Sequence, residues 1–503
     1  MQSNENVRDG KKNPRLKVIN RQQLLLRTVD VERLVGEDHP VRAIWEIVGA
    51  LDLSPYYEDV ESVEGNAGRS AIDPRLLMSL WIYAYSQGVS SGREVSRLCE
   101  YDPAYQWLTG MEGVNYHTLC DFRVKHDEGL QEVFAQVLGI LSMEGLVTLE
   151  RVMQDGTRVK ANASTKSFRR EERIRAHLEL AREQVRRMGD PRAEEASLRA
   201  GKARERAARE RKERLEEALK ELKEIQTGKS GEDRGQARVS MTDPQARVMK
   251  QGNGGWGPSY NIQVMSDAKE GVIVGVAVTQ SGTDSGELSN GIDVVRRNLG
   301  RNPNQVVADG GYTSRANIVA MSEQGIDFVA PVPEGEESSR SRSKALGITP
   351  DFYGEKFVYN VEEDNYRCPA GKRLRLVQKE RLAGRTNFRY EADKAECRTC
   401  GFKQQCCPKS KEGRRITRGV DDAVVEAFYR KMDTDEAKEI YKQRARFAEF
   451  PNAWIKEKIG LRQFRLRGKV KAGMEALWAC LTYNIQQWIR LCWLPQLAVG
   501  GVR

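Results

Sequence analysis

The 503-residue sequence contains no long apolar run; its most extended ones, Val272 to Val278 and Leu491 to Leu494, are far too short to span a bilayer. Its first residues, MQSNENVRDGKKNPRLK, lack the apolar core of a secretory signal. These two absences lead to the expectation of a cytoplasmic protein. The nine cysteines should then be reduced thiols, not disulfides. Histidine is scarce, with four in all, and His117 and His126 have no acids or cysteines at ligand spacing. Both read as ordinary helix residues. Charge, by contrast, is plentiful. Charged residues make up 31% and apolar residues 39%, with a net charge of +10 and a pI near 9.0. That balance fits a globular protein with very charged segments and a polyanionic partner, and it is silent on sequence specificity. The length allows two or three domains.

Two strand-to-acid transitions organise the chain. Leu146 to Met153 alternates apolar and polar residues, as a strand does, and is followed by the turn pair Asp155-Gly156. The second transition is Val306-Val307-Ala308-Asp309-Gly310-Gly311-Tyr312. A single acid before glycine is usually a turn former. Two of them, each closing an apolar strand, are better explained as acids gathered at one edge of a sheet, where their hard oxygens suit a divalent metal. The third acid expected downstream is Glu449, in YKQRARFAEFPNAWIK.

In order along the chain, residues 1–20 read as a disordered basic arm and 21–146 as a helical domain. Its short helices are joined by Gly- and Ser-containing turns, compatible with a helix-turn-helix-like DNA reader or with a helical cap that binds nothing. A charged insertion, 167–229, carries a short Leu215, Leu219, Leu222 seam and reads as a surface helical hairpin. Tyr260 to Val264 and Val272 to Val278 predict a hairpin within a covered sheet. Asp284 and Glu287 fit a capping box opening a helix to Leu299. A short helix and the strand Phe328 to Val332 follow. The sheet and its helices predict an α/β unit over 147–333 and 419–495. Met474, Leu477, Trp478, Leu481, Ile485 and Trp488 mark an amphipathic core helix. Just before it, Arg462, Arg465 and Arg467 alternate with apolar residues, as a phosphate-backbone track would.

A linker and insertion, 334–418, hold five of the nine cysteines. Cys368, Cys397, Cys400 and Cys406 have the form C-x28-C-x2-C-x5-C, with Cys407 adjacent. Four thiolates with one C-x2-C pair suggest a structural Zn²⁺ stapling a small β-rich knuckle. The other reading is a set of free thiols in a small satellite core.

Four stretches in this order resemble insertion-sequence transposases of the DDE type. They are QDGT around Asp155, ARVMK…GPSYNIQV (Ala246 to Val264), VVADGGYTS around Asp309, and Tyr441-x2-Arg444-x4-Glu449-x6-Lys456 followed by FRLRG and LTYNI. The resemblance covers nearly the whole chain. It implies an RNase H-like mixed sheet with helices on both faces, a helical N-terminal DNA-binding domain, and the small Cys-rich β insertion. It makes Asp155, Asp309 and Glu449 the catalytic, metal-binding triad for Mg²⁺ or Mn²⁺, and puts Tyr441, Arg444 and Lys456 around DNA. It further implies binding of terminal inverted repeats, cleavage at the element ends and joining to target DNA, by a homodimer or larger assembly associated with the nucleoid. A transposase-derived DNA-binding protein that no longer cuts and a plain metal-dependent nuclease are the alternatives. Pro451, two residues after Glu449, requires a helix that either starts near Glu449 or kinks there.

Overall fold

The computed structural model describes residues 21–500, except positions 23, 25, 27, 59, 61, 63–69, 189–197, 253, 333–342, 383–384 and 420–421. The basic arm, most of the linker and the Gly189-Asp190-Pro191 break therefore lie outside the described residues. No described helix is long and apolar enough to cross a membrane.

Seven helices come first: α1 (Pro40–Gly49), the one-turn α2 (Ser54–Tyr57), α3 (Pro74–Ser86), α4 (Gly92–Tyr101), α5 (Pro103–Thr109), α6 (Tyr116–Lys125) and α7 (Asp127–Met143). Three of them start alike, with a side chain accepting a free N–H just ahead of a proline that has none to lose. His39 caps α1, Asp73 caps α3 and Asp102 caps α5.

The chain then enters β1 (Arg151–Lys160). It does so through Leu149, whose φ of 56° is unusual for a branched residue. Asp267 holds that kink by accepting from the N–H groups of Thr148 (3.0 Å) and Leu149 (2.7 Å). The strand accordingly starts later than the alternation predicts and runs on through Asp155 and Gly156. These two residues form no turn, which corrects the sequence reading. After β1 come the charged helices α8 (Glu171–Met188) and α9 (Leu198–Thr227), which pack around Ile174, Leu178, Leu215 and Leu222. The short pair β2 (Phe168–Arg169) and β3 (Val239–Ser240) closes their base, beside the one-turn α10 (Glu232–Gly235).

The main sheet is completed by β4 (Arg247–Lys250), β5 (Trp256–Asp267), β6 (Ile273–Thr279), β7 (Gln305–Val307) and β8 (Asp327–Val329). Its order is β4-β5-β1-β7-β8, with β6 also on β5. Strand β1 is antiparallel to β5 and parallel to β7, and β7 is parallel to β8. Helices α11 (Leu288–Leu299) and α12 (Arg315–Glu323) make the two crossovers. A five-stranded antiparallel sheet follows, formed by β9 (Val358–Asn360), β10 (Asn365–Arg367), β11 (Arg373–Leu382), β12 (Arg385–Ala392) and β13 (Arg415–Gly419). The short helices α13 (Lys394–Arg398) and α14 (Lys403–Cys406) lie between its last two strands.

Four further helices close the fold: α15 (Asp422–Met432), α16 (Asp435–Lys442), α17 (Phe450–Glu457) and α18 (Lys469–Trp488), with a π turn and α19 (Leu494–Gly500) after them. The sequence presents α18 as amphipathic, yet the fold buries it on nearly every side. Helices α3 and α7 cover one flank and β6 the other. Its polar groups are satisfied there. The Asn484 side chain accepts from the Ile273 N–H (2.9 Å) and donates to the Ile273 carbonyl (2.8 Å), pinning α18 to the start of β6. One core therefore runs from the N-terminal helices through α18 to the sheet.

Candidate active site

Strand pairing brings the first two acids together. Met153 on β1 is in register with Val307 on β7, and Asp155 and Asp309 each lie two residues further on. Asp309 leaves the sheet to cap a short 3-10 turn, its carboxylate accepting from the Gly311 N–H at 2.8 Å. Glu449 arrives from the far end of the chain. Between α16 and α17 the helix widens into a π turn, Ala445–Glu449. Pro451 has no N–H to serve an α-helical bond, and the π turn directly before it absorbs that loss without ending the helix. This resolves the difficulty posed by Pro451.

Arg444 joins these acids. Its Nη2 donates to Asp155 Oδ1 at 2.6 Å and its Nη1 to Glu449 Oε1 at 3.3 Å. The guanidinium is 12% exposed, the Asp155 side chain 15% and Glu449 61%. Asn452 donates to the other Asp155 oxygen at 2.9 Å. Burial pushes the Asp155 carboxyl above its ordinary range; Arg444 opposes the rise and the nearby Asp309 adds to it. Burial also raises the Tyr441 hydroxyl, again with Arg444 opposing and Asp309 and Glu449 adding. Lys456 is lowered by burial, against the pull of Asp155, with Arg158 lowering it further. Lys456 thus feels Asp155, Tyr441 feels Asp309 and Glu449, and Arg444 feels all three.

A fourth acid backs the site. Asp284, predicted as a helix cap, makes no cap; α11 begins at Leu288 behind Glu287. Instead its carboxylate accepts from Asn261 (2.6 Å), Gln263 (2.8 Å) and Arg158 (2.8 Å). It lies against Gly156, where a Cβ would come within 2.1 Å of its oxygen. Gly156 is therefore needed for close approach within a strand, not for a turn. Gln263 also accepts from the Tyr312 hydroxyl, which ties the turn after Asp309 to the middle of the sheet. Sequence reasoning missed Asn452 and Asp284. Asn452 lies three residues after Glu449 on a helical stretch, a spacing that could have found it, whereas nothing local marks Asp284.

The other predicted residues lie apart. Arg462, Arg465 and Arg467 are exposed. They follow the end of β1, where the Lys160 N–H donates to the Arg462 carbonyl (3.3 Å) and the Phe464 N–H to the Lys160 carbonyl (2.8 Å). Arg462 pairs with Glu457, Arg465 donates to the Ser90 hydroxyl and Arg467 to the Asn162 carbonyl. Glu475 is buried on α18 and accepts from the N–H groups of Arg465 and Leu466, away from the other acids. Cys368, Cys397, Cys400, Cys406 and Cys407 line one small cavity of about 20 Å³. Cys406 and Cys407 sit in the satellite core with Phe352, Leu374 and Tyr390, and burial pushes the Cys406 thiol up to about 12. Among the described residues no group of three or more His, Cys, Asp or Glu is arranged to hold a metal ion. The fold thus gathers all five cysteines of the insertion around one cavity. The acids, too, converge without closing into a cage.

Two family models match the chain. The Transposase DDE domain matches residues 367–489, which include Tyr441, Arg444, Glu449 and Lys456 but neither Asp155 nor Asp309. The Transposase domain (DUF772) matches residues 29–125, the helices α1 to α6. No curated protein matches the chain. Transposase domains at both ends, on either side of the strand that carries Asp155, support an insertion-sequence transposase of the DDE type.

Proposed function

We propose that the chain binds the terminal inverted repeats of its own element, cuts the DNA at the element ends and joins the 3′ ends to target DNA. One observation carries this reading: of three acids 154 and 140 residues apart in sequence, Asp155 and Glu449 share the Arg444 guanidinium, and Asp309 ends the strand paired with that of Asp155. The strand order supports an RNase H-like core, since the antiparallel β6-β5-β1 and parallel β1-β7-β8 halves meet at the acid-bearing strand. The reaction class implies Mg²⁺ or Mn²⁺ at the three acids; when bound, such an ion supplies the charge that activates an attacking oxygen and steadies a leaving one. The protein's own groups have separable tasks. Asn452 fixes the orientation of Asp155, and Tyr312 with Gln263 fixes the turn that carries Asp309. Arg444 and Lys456 provide positive charge for the phosphate, and Arg462, Arg465 and Arg467 extend it along the backbone. Acting on two element ends requires at least two copies of the chain.

Incubating the full chain with DNA that flanks its gene, in Mg²⁺, and mapping the products tests this. Cuts at the repeat termini followed by joined products are expected. Cuts without joining would make it a nuclease, and specific binding without cuts a non-cutting DNA-binding protein.

A further inference from the structure

Two of the converging acids, Asp155 and Glu449, are joined by a cation of the chain's own, Arg444. Its guanidinium spans from Asp155 to Glu449 and occupies the space between two carboxylates that a cation would have to reach. The contact is built into the fold. A π turn carries its hydrogen bonds from residue i to i+5, so it turns residues five apart toward one face. Arg444, which caps the turn Ala445–Glu449, and Glu449, which ends it, are five apart. The guanidinium is nearly buried, and Asn452 holds the remaining Asp155 oxygen in place at 2.9 Å. Clustered carboxylates need a counter-charge to remain ionised side by side, and here the chain supplies its own.

We infer that Arg444 is an internal counter-cation that keeps the acid cluster closed to metal until DNA arrives. A forked guanidinium suits a phosphate as well as a carboxylate. A DNA phosphate at the site competes for Arg444, withdraws it from Asp155 and Glu449, and leaves both free to take a divalent ion. Metal and DNA then bind with positive coupling, each strengthening the other by the same factor. Free protein in a cell containing abundant Mg²⁺ stays unloaded, and cutting competence appears only on DNA. The inference rests on the reading of Asp155 and Glu449 as metal ligands.

The probe is Mn²⁺ alone, titrated into the full-length protein and followed by loss of the free-ion electron paramagnetic resonance signal, with and without a short duplex DNA. For wild type, weak binding without DNA and tightening by roughly tenfold or more with DNA are expected. Arg444→Gln should bind Mn²⁺ tightly without DNA and gain little from it. Arg444→Lys keeps the charge but cannot fork, so its affinity should fall between them, which guards against a fold defect in the first variant. Asp155→Asn added to Arg444→Gln should abolish the gain. Equal Mn²⁺ affinity of wild type and Arg444→Gln without DNA overturns the counter-cation role while leaving the metal reading intact. Absence of Mn²⁺ binding by every protein, with and without DNA, overturns the metal reading and this inference with it.

Discussion

Gly156 shows how much one missing side chain can decide. Its Cβ position is taken by the Asp284 carboxylate and the Gln263 amide, both held by hydrogen bonds of their own. Gly156→Ala should therefore cost about 1–3 kcal/mol, the range for forcing a methyl into packed space. Urea unfolding measures it, and wild-type stability would mean the pocket is looser than the geometry indicates. Asn452 acts on Asp155 through one bond to a carboxylate oxygen. Asn452→Ala should lower DNA cleavage by roughly 10- to 100-fold, as loss of groups that orient metal-site ligands generally does, with end binding unchanged. Equal cleavage by variant and wild type would remove Asn452 from the site. Of the two, only Asn452 carried a local signal, its spacing of three residues from Glu449. Asp-Gly is a turn signal wherever only neighbours are counted, and the contact that makes Gly156 necessary comes from a residue 128 positions later.

Whole elements were easier to read than the residues that join them. The hairpin of β5 and β6, the charged pair α8 and α9 and the helix α18 follow from periodicity, which local sequence carries in full. The start of β1 and the π turn do not, because each depends on a partner distant in sequence or on a single missing N–H. Asp284 looked like a cap for the same reason: capping is local, and Asn261 and Gln263 are not. The cysteine spacing named the residues that line one cavity of the insertion, Cys368, Cys397, Cys400 and Cys406 with Cys407. Helix α18 also carries a testable charge. Burial pushes the Glu475 carboxyl above its ordinary value of 4.5, with Arg123 and the N–H groups of Leu466 and Arg465 opposing the rise. The folded protein thus holds this proton more tightly than the unfolded chain. The resulting stabilisation is complete below the ordinary value and is lost as pH climbs through the raised one. Glu475→Gln keeps an acceptor but cannot ionise, so wild type should lose stability relative to the variant as pH rises from about 4.5 towards neutrality. Unfolding in urea across that range reads the difference, and one that is constant with pH contradicts it.

At the scale of the molecule, the N-terminal helices and the sheet share one core around α18. Trp81 and Trp478 each pack against the Tyr85 ring within it, the first donating to the Leu119 carbonyl (2.9 Å) and the second to the Arg123 carbonyl (3.2 Å). Removing residues 21–146 would bare the flank of α18 that α3 and α7 cover, so the remainder should aggregate or lose cooperative unfolding. A soluble remainder with a sharp unfolding transition would show that the two regions fold independently. The order of elements, the two acid-bearing segments and the C-terminal signature were all legible in the sequence; that α18 stands between two layers was not, because its stripe of large apolar residues reads equally well as one face of a surface helix.

The central claim is that Asp155, Asp309 and Glu449 form one site, and cleavage of element-end DNA by their neutral variants tests it most directly. Asp155→Asn, Asp309→Asn and Glu449→Gln keep size and remove the anionic oxygen that a hard cation requires. Each is expected to abolish Mg²⁺-dependent cutting while leaving end binding nearly unchanged, and any pair combined should be no worse than either alone. Near-normal cutting by Glu449→Gln would move the third acid elsewhere, and near-normal cutting by Asp155→Asn would contradict the account as a whole.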